Sequence, residues 1–201
     1  MRVRCLPPLL LLTSLASAQS YRAVDVTLTF DSGPMIVALS NHASPILGAQ
    51  KPKVVNGVAY VGARQDSGFW EVGLSPKLPL ALTINQGSGS QDLKVRGLPL
   101  TRLNVKMGSG PVMMQLPAAS FTAQLRQESG SLDIHVPQNT GVKLVLQQFR
   151  SGALTVEGKD IAAGQNLGGT YQTANYDAAR YKVTVNLTWG SGAVQVHTPG
   201  Q

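Results

Sequence analysis

The chain is short of the residues that most chemistry needs. It has one cysteine, Cys5, which stands ahead of the apolar run 6–15, whereas a lipid-modified cysteine would follow such a run. Arg2 and Arg4 before the run, and Ala16-Ser17-Ala18 behind it, have the order of a cleaved export signal over residues 1–18 with Gln19 as the new N-terminus. The expected mature chain of 183 residues (201 less 18) is then free of cysteine. That excludes disulfides, a thiolate nucleophile and Cys-ligated metal. The run falls short of the ~20 residues of a membrane-spanning helix, and no second run approaches that length. The reading is an exported protein of a bacterial periplasm or cell surface, with no transmembrane segment in its mature part.

Charged residues make up 13% of the chain and aromatics 5%. The balance is positive, +7 overall and +5 once Arg2 and Arg4 are gone, a modest excess that suits solubility and docking to anionic polymers. Nucleotide loops are missing: Gly108-Ser109-Gly110 is followed by Pro111 and a strand pattern, not by a helix. No G-x-S-x-G elbow, no H-x-x-x-H pair and no acidic calcium loop occurs. The expectation is therefore no catalytic residues, no metal and no cofactor. A Ser-His-Asp site assembled by folding stays open as a hydrolase alternative. The histidines are His42, His135 and His197. If units stack in chain order, His135 and His197 are at least two strands, about 10 Å, apart, and stand as separate surface histidines.

What the chain does have is rhythm. Ser-Gly recurs at 32–33, 67–68, 88–89, 109–110, 129–130, 151–152 and 191–192, with spacings of 35, 21, 21, 20, 22 and 40. The period of 20–22 runs through most of the mature chain, and the longest spacing is two periods. Apolar residues fall two, four and six places after the glycines: Met35, Val37 and Leu39; Val112, Met114 and Leu116; Leu132, Ile134 and Val136. Gln91 breaks that pattern. Val24, Val26, Leu28 and Phe30 alternate ahead of Gly33, as do Leu103, Val105 and Met107 ahead of Gly110. Alternation with period two marks a strand with one buried face. Each unit reads as strand, bend, strand, then a terminator such as Pro117, Pro137 or Pro199. One such unit cannot bury its own apolar face, so the units must stack. Two stretches depart. Residues 40–66 hold an insertion in which Asn56-Gly57 signals a tight hairpin. Residues 159–180 are polar and Gly-rich, and read as a long loop or weak unit with at most a turn or two of helix at 172–180.

The segment LPLALTINQGSGSQDLKVRGLPLTRLNVKMGSGPVMMQLP (78–117) and the closing GGTYQTANYDAARYKVTVNLTWGSGAVQV (168–196) resemble the bacterial toast-rack and adhesin-like β-repeat domains, related to the C-terminal domain of LiaF-like envelope-stress proteins. The resemblance covers about residues 77–199. It implies an all-β fold of stacked rungs and no catalytic residues to carry over. LiaF-like proteins have membrane helices ahead of this domain and this chain shows only an export signal, which sets signalling across a membrane aside. The expected fold is thus all-β, a β-solenoid-like toast-rack repeat, with a twisted sandwich of hairpins as the alternative. The expected division is an N-terminal β region over 19–76 and a repeat domain over 77–201.

For function the sequence supports a non-catalytic envelope module for adhesion, scaffolding or binding, with a partner role in envelope-stress sensing as one alternative. The candidate binding face is Lys94, Arg96, Arg102 and Lys106, a small basic cluster on neighbouring strands. It has no interleaved aromatics, so nucleic acid is not the expected partner. An envelope polymer or a surface protein is. Oligomeric state is not legible.

Overall fold

The computed structural model describes residues 21–41 and 51–199. The export signal, Cys5, Gln19 and His42 lie outside those residues.

The rhythm of the sequence is the rhythm of the fold. Five units are bent pairs of strands: β1 (Ala23–Ser32) with β2 (Met35–Leu39), β4 (Val58–Ser67) with β5 (Trp70–Leu74), β6 (Leu80–Ser88) with β7 (Gln91–Lys94), β8 (Leu100–Ser109) with β9 (Val112–Gln115), and β10 (Phe121–Ser129) with β11 (Leu132–His135). A short β3 (Lys53–Val55) precedes β4. Three long strands follow, β12 (Thr140–Val156), β13 (Lys159–Gln172) and β14 (Tyr181–His197), and these run through the bend unbroken. Among the described residues no helix is long and apolar enough to cross a membrane.

The first arms form one layer and the second arms form another, joined through the long strands. Across the first layer the order is β3-β4-β1-β6-β8-β10-β14-β12-β13, and the second layer repeats it from β5-β2-β7-β9-β11 into β14. Every pairing is parallel except β3 with β4 and β12 with β13, the two ends of the stack. The units are therefore bent, not hairpinned, and stacked rungs replace the alternative sandwich. Alternate residues from both layers, including Leu28, Leu82, Leu103, Ile134, Leu154 and Val185, are fully buried in one core between them.

Spatial order is not chain order. The β1/β2 unit lies between β4/β5 and β6/β7, and β14 lies between β10/β11 and β12. The corners nevertheless align: Ser67, Ser32, Ser88, Ser109, Ser129, Ser191 and Ser151 are successive partners across the stack. Each following glycine has positive φ, from 98° at Gly68 to 143° at Gly152. At Gly110 a Cβ would run into the carbonyl of Gly89 on the next rung, so only glycine permits both the turn and the close approach. Side chains three places earlier cap the corner carbonyls. The Gln86 amide donates to Gly33 O at 2.8 Å, the Gln127 amide to Gly110 O, and the Trp189 indole to Gly130 O at 3.2 Å.

The Asn56-Gly57 hairpin is present, with φ of 51° and 75°, and joins β3 to β4. Residues 159–180 differ from expectation. Instead of a loop, 159–172 are the edge strand β13, antiparallel to β12, and 174–178 are turns rather than helix. β13 is mostly exposed, so few of its side chains need to be apolar, which is why alternation is faint there. Gln91 takes the inward position its phase requires, 2% exposed, with no hydrogen-bond partner for its amide.

Candidate binding faces

The outward side chains of the first layer form rows across the strands. One row runs Thr27, Thr83, Asn104, Gln124, Asn186, and the next runs Arg64, Thr29, Asn85, Lys106, Arg126, Thr188. Neighbouring members are one strand spacing apart, about 4.8 Å. Parallel pairing in register is what aligns them, since residues at one level of the repeat share a face. On this side Arg64, Arg102, Lys106, Arg126, Lys143, Arg150 and Lys182 outnumber Asp25, Asp31, Asp66 and Glu128. The outer side of the second layer has the opposite balance, with Glu71, Asp92, Asp133 and Asp160 against Lys94. The positive excess of the sequence is thus gathered on one face.

The four cations singled out in the sequence separate. Arg102 and Lys106 stand on β8 in the first layer, Lys94 stands on β7 in the second, and Arg96 lies in the loop after β7. The cause is the turn between units, residues 95–99, which carries the chain from the second arm of one unit to the first arm of the next and so from one layer to the other. Arg102 reaches over Ala81 to Asp25 at 2.9 Å, and Lys94 pairs with Asp92 at 3.2 Å. Arg64 bridges Asp66 and Asp31 at 3.2 and 3.1 Å. Its hydrogen bond to Asp66 and the charge of Asp31 make its guanidinium more basic than an isolated one. The side chains of Lys106 and its cross-strand neighbour Arg126 make no ion pair or hydrogen bond with the described residues. Arg126 was not singled out by charge clustering, because twenty residues separate it from Lys106. The shared phase, four places before the repeat glycine, was the signal that could have found it.

The histidines correct an expectation. His135 and His197 are direct partners on β11 and β14, with ring centroids 5.1 Å apart and planes at 19°. They are adjacent because β14 inserts beside β11, out of chain order. Asp133 Oδ1 lies 2.9 Å from His197 Nε2 and 3.5 Å from His135 Nε2. Among the described residues no group of three or more His, Cys, Asp or Glu side chains is placed to hold a metal ion. No serine or threonine hydroxyl is hydrogen-bonded to either imidazole among those residues. Beside the pair, where the second arms end, a shallow groove of about 1070 Å³ is lined by Pro76, Pro99, Pro117, Pro137 and Pro199 together with Arg96, His135 and His197. The prolines that terminate the units are thus its walls.

Residues 39–135 match the family described as the N-terminal domain of toast_rack, DUF2154. A crystal structure of a candidate cell adhesion protein from Clostridium sporogenes ATCC 15579 superposes with a TM-score of 0.74 at 20% identity, covering 90% of this chain and 94% of that one. At that identity the likeness shows a shared fold. No curated protein matches the chain.

Proposed function

We propose, from the premise that this chain carries a toast-rack domain, that it is a non-catalytic adhesion module of a bacterial envelope, exported and acting at the cell surface. It holds an anionic envelope polymer through the outer face of its first layer. The observation that carries this reading is the pair Lys106 and Arg126, side by side among neutral polar side chains and without an ion-pair partner among the described residues. Two free cations on adjacent rungs attract anions in a way that Arg64 and Arg102, already held by carboxylates, do not. The fold shared with a candidate cell adhesion protein supports the same direction.

The test is co-sedimentation of purified protein with envelope fractions. Reversal of both charges, Lys106→Glu with Arg126→Glu, is expected to reduce the bound fraction by about tenfold, and Lys94→Glu on the opposite layer to leave it unchanged. Binding that survives the double reversal would remove this face from the function.

A further inference from the structure

Beside Lys106 the first layer is indented. A trench of about 470 Å³ has Gly87 and Gly108 as its floor, Thr29, Asn85 and Lys106 along one wall, and Asp31 and Glu128 toward its ends. The floor is bare for a structural reason. A Cβ on Gly87 would stand 2.5 Å from the carbonyl of Asp31, and one on Gly108 would run into the carbonyl of Gly87. At Gly87 and Gly108 the rungs approach too closely for a side chain, so the stack itself maintains the trench.

We propose that the trench takes a linear acidic polysaccharide, a chain of carboxylate-bearing sugars lying across the strands. This rests on the adhesion reading and adds the class of its ligand. Sugar hydroxyls both donate and accept, and the wall offers both: the Asn85 amide and Thr29 hydroxyl do either, while Asp31 and Glu128 accept. Lys106, with Arg126 one strand spacing away, supplies the charge that one carboxylate of such a chain needs. A polymer running along the stack meets a polar or charged side chain at every strand, ~4.8 Å apart, Thr29, Asn85, Lys106 and Arg126 in turn. Other polymers fit less well. A nucleic acid finds no ring on which a base could stack, because the trench's aromatic residue, Phe30, is turned into the core and 1% exposed. Its large apolar lining residues, Phe30 and Met107, are buried in the core, so it exposes no anchor of the kind on which protein partners usually depend.

The experiment is calorimetric titration of the purified protein with polygalacturonate, neutral dextran, dextran sulfate and polyphosphate, at low and high salt. Polygalacturonate is expected to bind, and neutral dextran at least about tenfold more weakly for want of the charge contact. Asn85→Ala and Thr29→Ala leave the charge unchanged and are expected to weaken binding by roughly three- to tenfold each, the worth of one hydrogen bond. Lys106→Gln with Arg126→Gln is expected to weaken it more than either. The proposal is overturned if dextran sulfate and polyphosphate bind as tightly as polygalacturonate while Asn85→Ala and Thr29→Ala change nothing, since the face is then a plain polyanion attractor. It is also overturned if envelope binding depends on Lys106 and Arg126 yet polygalacturonate does not compete for it. In that case the adhesion reading stands and only the ligand class falls. Envelope binding indifferent to both cations removes the two together.

Discussion

At Gly110 the backbone has φ of 126°, and the nearest neighbour a Cβ would meet is backbone, the Gly89 carbonyl. Gly164 has φ of 134° but open space around its Cβ position, and Gly62 has neither constraint. These three positions separate backbone strain from crowding. Gly164→Ala is expected to lower stability by about 1–2 kcal/mol through strain alone. Gly110→Ala should lower it by roughly 3 kcal/mol or more, because a neighbouring rung must also move. Gly62→Ala should be neutral or stabilising by up to ~1 kcal/mol. Urea unfolding of the three variants checks the order, and equal losses at all three would refute the corner account. Gln91 offers a gain. Its buried amide has no partner while Val112 faces it on one side and Met35 on the other. Gln91→Met is expected to raise stability by about 1 kcal/mol or more, read from the same unfolding midpoints.

At the scale of the element, much was legible. Alternation around each Ser-Gly placed the arms, and Asn56-Gly57 placed the hairpin, because inward apolar residues and positive φ both leave local marks. The neighbours of each unit were not legible. All rungs present the same apolar phase to the core, so nothing within a rung says which rung lies beside it. That ambiguity hid the insertion of β14 beside β11, and with it the contact of His135 with His197. The split of Lys94 from Lys106 had a different cause: the turn at 95–99 sends close residues to opposite layers, and charge clustering along the chain takes no account of such turns. A chain stopped after Arg180 lacks the strand that lies between β10/β11 and β12. It is expected to show no cooperative heat absorption in calorimetry, since the fully buried Val183, Val185, Leu187, Val194 and neighbouring Trp189 are gone from the core. A retained sharp transition would mean that β12 can dock directly on β10.

Taken whole, the molecule is a stack in which nearly every pairing joins residues far apart in sequence, closed at each end by an antiparallel strand. Parallel pairing must meet the entropy of long loops before any contact rewards it, so refolding from denaturant is expected over milliseconds to seconds or longer. Stopped-flow fluorescence of Trp189, in a variant with Trp70→Phe, measures it, and microsecond folding would contradict this topology. The stack also divides charge between its broad faces, which gives the molecule a direction: an anionic surface is met first layer foremost. The place of β14 has one more consequence. Of the described strands it is made last and seated inside the stack, third from one end, so a ribosome that stalls early releases a chain with a gap between β10/β11 and β12. Such a product exposes unpaired strand edges and apolar faces from both sides of the gap, the kind of surface that chaperones and proteases engage. The topology therefore keeps the core open until β14 is made, however much of the chain has folded before it.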